Sequence, residues 1–305
     1  MKYYFLSAGL IVVTILVILA VPLLSGAENS LVTIQTEVPE NNTAVIVQKY
    51  VYPPASKSAT PLSLSAHSIL IKDLATNTIL YKKDSDSRIP IASTTKIMTA
   101  LIGSEYFKPN SVLTVGSSSE APGSKVGLIL GEKLTFRSLL FGMLLSSGND
   151  ASYAIAENYP GGLVDFVAAM NQKTEDLGLL NTHFDNPAGF DSPNHFSSAN
   201  DLSKITEEAL KNSDLSRIFA TKETEIVSLD KKEAHKLTNL NKLLTSLPGV
   251  LGVKTGFTIV AKENLVTLVE RGGHRVLTVV LGSDDRFGET SQLVEWTYRN
   301  FIWQD

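Results

Sequence analysis

Beyond residue 64 the chain opens and closes on strand-like runs, with helical runs filling the middle, and that order limits the folds open to it. His67-Ser68-Ile69-Leu70-Ile71-Lys72 and Thr78-Ile79-Leu80-Tyr81-Lys82 flank a turn at Ala75-Thr76-Asn77, the pattern of a hairpin. Residues 264–270 and 275–281 flank Gly272-Gly273, a two-residue hairpin turn. Between these ends, helical periodicity runs through residues 134–145, 151–159, 163–180 and 199–211, and residues 287–301 close the chain as a helix. Half-buried strands from two distant segments are best covered in one sheet. The expected fold is therefore α/β, an antiparallel sheet flanked by helices plus a mostly helical lobe, with a cleft between the lobes as the usual place for a site. A chain of 305 residues, 43% apolar and 19% charged, has the core for it.

Composition excludes several chemistries. A net charge of −4 argues against the basic stripe of a nucleic-acid binder. There is no cysteine, which removes thiol nucleophiles, cysteine zinc sites and disulfides together. The five histidines form no His-Glu-x-x-His pattern and no Gly-x-Ser-x-Gly is present, so neither a metal nor another cofactor is expected.

The N-terminal region reads separately. From Tyr3 to Leu24 the chain is uncharged and nearly all apolar, long enough as a helix to cross a bilayer core of roughly 30 Å. Ser25-Gly26-Ala27 resembles a small-residue cleavage site, so residues 1–27 are either a transmembrane anchor or a removed signal peptide. Lys2 alone precedes the run, a cue that the short N-terminus stays inside and the rest is exported, membrane-anchored or secreted. Residues 28–63, with Pro39, Pro53, Pro54 and Pro61 among polar residues, read as a flexible extracytoplasmic linker or an extension packed on the domain. One strand is expected there from Ala44 to Val51. The domain proper is residues 64–305.

Its chemistry centres on Ser93-Thr94-Thr95-Lys96, where a helix should begin after Pro90. Three residues apart on a helix, the hydroxyl and the amine project from one face. A serine is a nucleophile only if a base takes its proton, and a lysine is a base only where its surroundings favour the neutral amine, as a helix N-terminus and a second cation do. Alone the spacing means little, since it arises by chance about once in a few hundred residues of average composition. A second copy, Ser228-Leu229-Asp230-Lys231, follows a strand-like run and is discarded, because residues three apart on a strand point to opposite faces.

Two further stretches matter. Ser147-Gly148-Asn149 follows the most apolar helix, at the turn before the next; Ser-x-Asn also occurs at Ser192 and Ser198. Lys254-Thr255-Gly256 occurs once and continues Val250-Leu251-Gly252-Val253 as a strand would. There Lys254 and Gly256 share a face, and the glycine admits close approach of another backbone or a ligand.

Taken in order, Ser-x-x-Lys, Ser-x-Asn and Lys-Thr-Gly resemble the motif set of β-lactamases and penicillin-binding proteins. Within that superfamily, residues 62–303 resemble the low-molecular-weight penicillin-binding proteins that act as D-alanyl-D-alanine carboxypeptidases. Supporting phrases are Ser147-Gly148-Asn149-Asp150-Ala151, Leu177-Gly178-Leu179-Leu180-Asn181-Thr182-His183-Phe184 and Gly252-Val253-Lys254-Thr255-Gly256-Phe257-Thr258. Two alternatives are a class A-like β-lactamase, which would more typically show Ser-Asp-Asn and a Glu-x-x-x-Asn loop, and an inactive wall-binding module on the same fold. The resemblance implies that Ser93 attacks the peptide bond of a peptidoglycan stem peptide ending in D-Ala-D-Ala, with Lys96 as base. Ser147 would relay a proton, Asn149 bind the substrate backbone, and Lys254 supply positive potential. The N–H groups of Ser93 and Phe257 would form the oxyanion hole, and Thr255 and Arg286 hold the free carboxylate. β-Lactams would be covalent inhibitors. The chain departs from the family in Phe257, where histidine is frequent, and in Lys262-Glu263, where a small residue or glycine is frequent after Ala261. His183 and His195 read as structural or loop residues.

Overall fold

Valine, isoleucine and leucine recur on both faces of four segments, and a strand with apolar residues on both faces must be covered on both; a fifth segment, 79–83, buries only Leu80 and closes an edge. The computed structural model describes residues 31–34, 47–50, 52–56 and 62–303. In it the five segments are β1 (Ser68–Asp73), β2 (Ile79–Lys83), β3 (Val250–Thr258), β4 (Lys262–Arg271) and β5 (His274–Ser283). They form one antiparallel sheet in the order β3-β4-β5-β1-β2, so the two ends of the domain meet where β5 pairs with β1. The β4–β5 hairpin closes on Gly272 and Gly273, both at positive φ (57° and 80°), as a tight hairpin turn requires.

The helices are α1 (Lys96–Tyr106), α2 (Phe136–Leu145), α3 (Asn149–Glu157), α4 (Gly162–Asp176), α5 (Ala199–Leu210), α6 (Ser213–Ala220), the one-turn α7 (Leu243–Ser246) and α8 (Arg286–Asn300). Alternation along the strands sends side chains to the two faces of the sheet, into three buried apolar clusters. Ile69, Ile71, Val276 and Val280 pack with Leu293, Phe301 and Trp296 at the α8 side. Leu70, Val266, Leu277 and Val279 join the larger core of the helical lobe, with Ile97, Leu139, Ile155 and Ile205. Each fully buried aliphatic side chain contributes about 1.5–3 kcal/mol relative to exposure. The helical middle thus has its own core continuous with one sheet face, and β3 is left at an edge with its outer side facing the turn that precedes α1.

α6, α7 and the second strand of a small hairpin go beyond the sequence reading, which has a strand-like run at 224–227. α6, capped by Asn212, whose side chain accepts from the N–H of Asp214 and Leu215, follows α5 after two residues. A small hairpin pairs Glu223–Val227 with Ala234–Thr238. The second Ser-x-x-Lys is the tip of that hairpin, where Ser228 Oγ donates to Asp230 at 2.7 Å and Lys231 stands at φ 59°.

In the N-terminal region, Leu31–Ile34 pairs with Val47–Tyr50, within the strand expected at 44–51, and Ala55–Ser56 pairs with Phe301–Ile302. The apolar run 3–24 lies outside the described residues. Among the described residues no helix is long and apolar enough to cross a membrane.

Gly256 shows how closely the sheet edge meets the turn that carries Ser93. A Cβ there would lie 3.0 Å from Ile91 O and 3.1 Å from the nitrogens of Ser93 and Thr94, all backbone atoms that cannot rotate away. Gly256→Ala is expected to push the turn back by a few tenths of an ångström and lower unfolding stability by about 1–3 kcal/mol, read from denaturant midpoints, even though alanine is the better strand residue.

Candidate active site

The local chain at Ser93 is tighter than a plain helix start. Ala92–Thr95 form one turn of 3-10 helix that runs straight into α1, and Ser93 is therefore not its cap. Thr94 and Thr95 donate their hydroxyls back to the carbonyls of Ile91 (2.7 Å) and Ala92 (2.8 Å), and Ala92 sits at φ 46°. In 3-10 geometry residues i and i+3 eclipse, so Ser93 and Lys96 stand one above the other. Lys96 Nζ lies 2.9 Å from Ser93 Oγ.

Lys96 is completely buried. Its Nζ donates to Asn149 Oδ1 at 2.8 Å and to the Ala188 carbonyl at 2.7 Å. A neutral amine has two N–H bonds and one lone pair, so these two acceptors use both donors and the lone pair is left facing Ser93. The proton affinity of Lys96 falls well below the ordinary lysine value, first because burial removes water from the charged form and then because of the charge of Lys254; the carboxylate of Asp150 opposes this.

Ser147 and Asn149 come from the turn between α2 and α3. Asn149 cannot turn its amide, because Nδ2 donates to the Pro122 carbonyl at 2.7 Å. Its Oδ1 therefore faces Lys96. Ser147 holds a left-handed backbone (φ 58°), is buried, and forms no side-chain hydrogen bond among the described residues. Asp150, fully buried, accepts the N–H groups of Val126 (3.0 Å), Gly127 (2.9 Å) and Leu128 (3.1 Å), which ties residues 126–128 to this turn.

The opposite wall is β3. Lys254 is buried, donates to the Thr255 carbonyl at 3.1 Å, and is pulled down to about 7 by burial and then by the charge of Arg286. Thr255 is buried and Phe257 is 60% exposed on the rim. Arg286, the first residue of α8, donates from Nη1 to the Gly256 carbonyl at 2.9 Å. Ser93, Lys96, Ser147, Asn149, Lys254, Thr255, Gly256, Phe257 and Arg286 thus come from the turn before α1 and its first residue, the α2–α3 turn, the sheet edge and the start of α8.

The sequence reading missed the floor of this site. Asn186 Oδ1 accepts the N–H groups of Ala188 (3.2 Å), Gly189 (2.7 Å) and Phe190 (3.0 Å), folding the loop so that the Ala188 carbonyl aims at Lys96. Gly189, at φ 91°, leaves no room for a side chain: a Cβ would fall 2.0 Å from the Ala92 carbonyl oxygen. His195 is also built in. Its Nδ1 accepts the Asp185 N–H at 3.1 Å, so the proton is on Nε2, which meets Thr95 Oγ1 at 2.7 Å. Burial holds this imidazole neutral, down to about 4, against the opposing pull of Asp185. The Asn-Pro-Ala-Gly string is the signal that could have pointed to an organised loop.

Residues 55–285 match the D-alanyl-D-alanine carboxypeptidase family. The chain belongs to this family. D-alanyl-D-alanine carboxypeptidase DacF of Bacillus subtilis is 34% identical over 255 residues, covering 80% of this chain and 65% of that protein. The D-alanyl-D-alanine carboxypeptidase of Streptomyces sp. strain K15 is 36% identical over 226 residues, 68% of this chain and 77% of that protein. The crystal structure of the Streptomyces K15 DD-transpeptidase superposes with a TM-score of 0.74 at 32% identity, covering 79% of this chain and all of that one. The antiparallel sheet with helices is thus the DD-peptidase fold.

In this member of the D-alanyl-D-alanine carboxypeptidase family His195 makes a testable contribution to stability. The unfolded imidazole titrates near 6.5 and the folded one near 4, so the folded state binds fewer protons between those values. The stabilisation is complete above pH 6.5 and is lost as the pH falls from 6.5 toward 4, by about 3 kcal/mol in total. Melting curves across that window should show the fall, and His195→Gln should flatten it.

Proposed function

We propose that the protein is a serine-type D-Ala-D-Ala carboxypeptidase acting on peptidoglycan stem peptides through an acyl-enzyme. The observation that carries this reading is the buried Lys96, whose two N–H bonds are satisfied by Asn149 and Ala188 while its third side meets Ser93 Oγ at 2.9 Å. Lys96 takes the hydroxyl proton as Ser93 Oγ attacks the carbonyl between the two terminal D-alanines. The oxyanion forms against the N–H groups of Ser93 and Phe257; the close approach of Gly256, the residue before Phe257, to the nitrogen of Ser93 supports this reading. Each such donor is worth about 2.7–4 kcal/mol in the transition state. Ser147, with no partner of its own among the described residues, passes a proton to the leaving amine, and free D-alanine departs. Asn149 holds Lys96 and presents its turn to the substrate backbone. Thr255 and Arg286 receive the terminal carboxylate, and Lys254 adds positive potential that keeps Lys96 unprotonated. Water then releases the acyl group. A β-lactam offers the same amide with a tethered leaving group, so its adduct is long-lived. We place the enzyme at the bacterial cell membrane, anchored or exported through residues 1–27, with residues 64–305 outside.

The expected outcomes are specific. Ser93→Ala should release no D-alanine from a D-Ala-D-Ala peptide and form no penicillin adduct by intact-mass measurement; Lys96→Ala should lose about 10²–10⁴ in acylation rate. The parent's acylation rate should fall on acidification, as Lys96 gains its proton, and Lys254→Met should move that acidic limb to higher pH. A Ser93→Ala variant as active as the parent, or a parent that turns over penicillin rapidly, would sink the assignment.

A further inference from the structure

Glu263 stands beside Arg286, the group assigned to the substrate's carboxylate. Glu263 pairs across the sheet with Phe257, immediately after Lys254-Thr255-Gly256. Its Oε2 accepts the backbone N–H of Arg286 at 3.0 Å and lies 4.0 Å from the guanidinium Nε. That Nε is buried and has no hydrogen-bond acceptor, while the neighbouring Nη1 is held by the Gly256 carbonyl. The guanidinium is thus tied to the sheet edge by one nitrogen, with a second N–H unfilled and a carboxylate from its own chain close by. Its side chain is 16% exposed and that of Glu263 is 31% exposed, so the two charges are only partly screened by water.

We propose that Glu263 is a specificity-determining residue, an internal carboxylate that competes for the field of Arg286 with the terminal carboxylate of the peptide substrate. A guanidinium facing no other anion attracts an incoming carboxylate with its full charge; one already facing Glu263 does so less. The consequence is relaxed discrimination: peptides ending in a free carboxylate are favoured over peptides blocked at that end by less than the cleft would otherwise provide. This rests on the reading of Arg286 as the carboxylate-binding group.

The test compares kcat/KM on a D-Ala-D-Ala peptide with that on the same peptide bearing a C-terminal amide, in the parent, Glu263→Gln, Arg286→Gln and the double variant. Glutamine keeps an oxygen to accept the Arg286 N–H, so the start of α8 is retained, and melting temperature verifies that. The expected result is a rise of about threefold for the free acid in Glu263→Gln, chiefly through KM, with the amide unchanged and the gain lost in the double variant. Equal changes on both peptides, or none, overturn the proposal. Arg286→Gln with undiminished preference for the free acid overturns it through the role of Arg286. A parent that hydrolyses neither peptide and forms no penicillin adduct overturns the DD-peptidase reading itself, and this inference with it.

Discussion

An amine removed from water must either find a counter-charge or give up its proton. At Lys96 the protein arranges the second outcome: both acceptors within reach are neutral carbonyl oxygens, one from an amide side chain and one from the backbone. The nearest carboxylate, Asp150, is committed to three backbone N–H groups of residues 126–128, so it raises the proton affinity of Lys96 without pairing with it. Lys254 contributes from the other wall and is itself lowered to about 7 by its own burial and by Arg286. Positive charge on Arg286 thus lowers the proton affinity of Lys254, and positive charge on Lys254 lowers that of Lys96, which ends the row as the neutral amine.

The fold supplies this arrangement through contacts between distant segments. β3 is a sheet edge, and its glycine lets the edge lie directly on the turn that carries Ser93. The apolar α2 delivers Ser147 and Asn149 by ending where the lobe core ends, with Leu144 and Leu145 buried. The 3-10 turn before α1 is what eclipses hydroxyl and amine, and it is maintained by the Thr94 and Thr95 hydroxyls rather than by a capping side chain.

The parts of the molecule that sequence makes legible are those that depend on side-chain identity. Ser93, Lys96, Ser147, Asn149 and Lys254 could be named because their chemistry is written in residue type and spacing, and the two hairpins and α1 to α5 because period and turn residues announce them. The Ala188 carbonyl could not be, since every residue carries one and only the folded loop decides which points at an amine. Asp150 passes in the sequence for an ordinary acidic residue in the first turn of a helix, and His195 for a loop histidine; both owe their roles to burial. α6 was missed because only two residues separate it from α5, with no break in polar character between them.

The turn bearing Ser93 is gripped from two sides by residues lacking a side chain, Gly256 on the sheet edge and Gly189 on the loop beneath. Mutational drift at either place is restricted for a reason unrelated to chemistry, since the smallest added carbon collides with main chain at Gly189 and presses tightly on it at Gly256. Variation around this cleft must then enter through the rim, where Phe257, Lys262 and Glu263 have solvent on one side and freedom to differ.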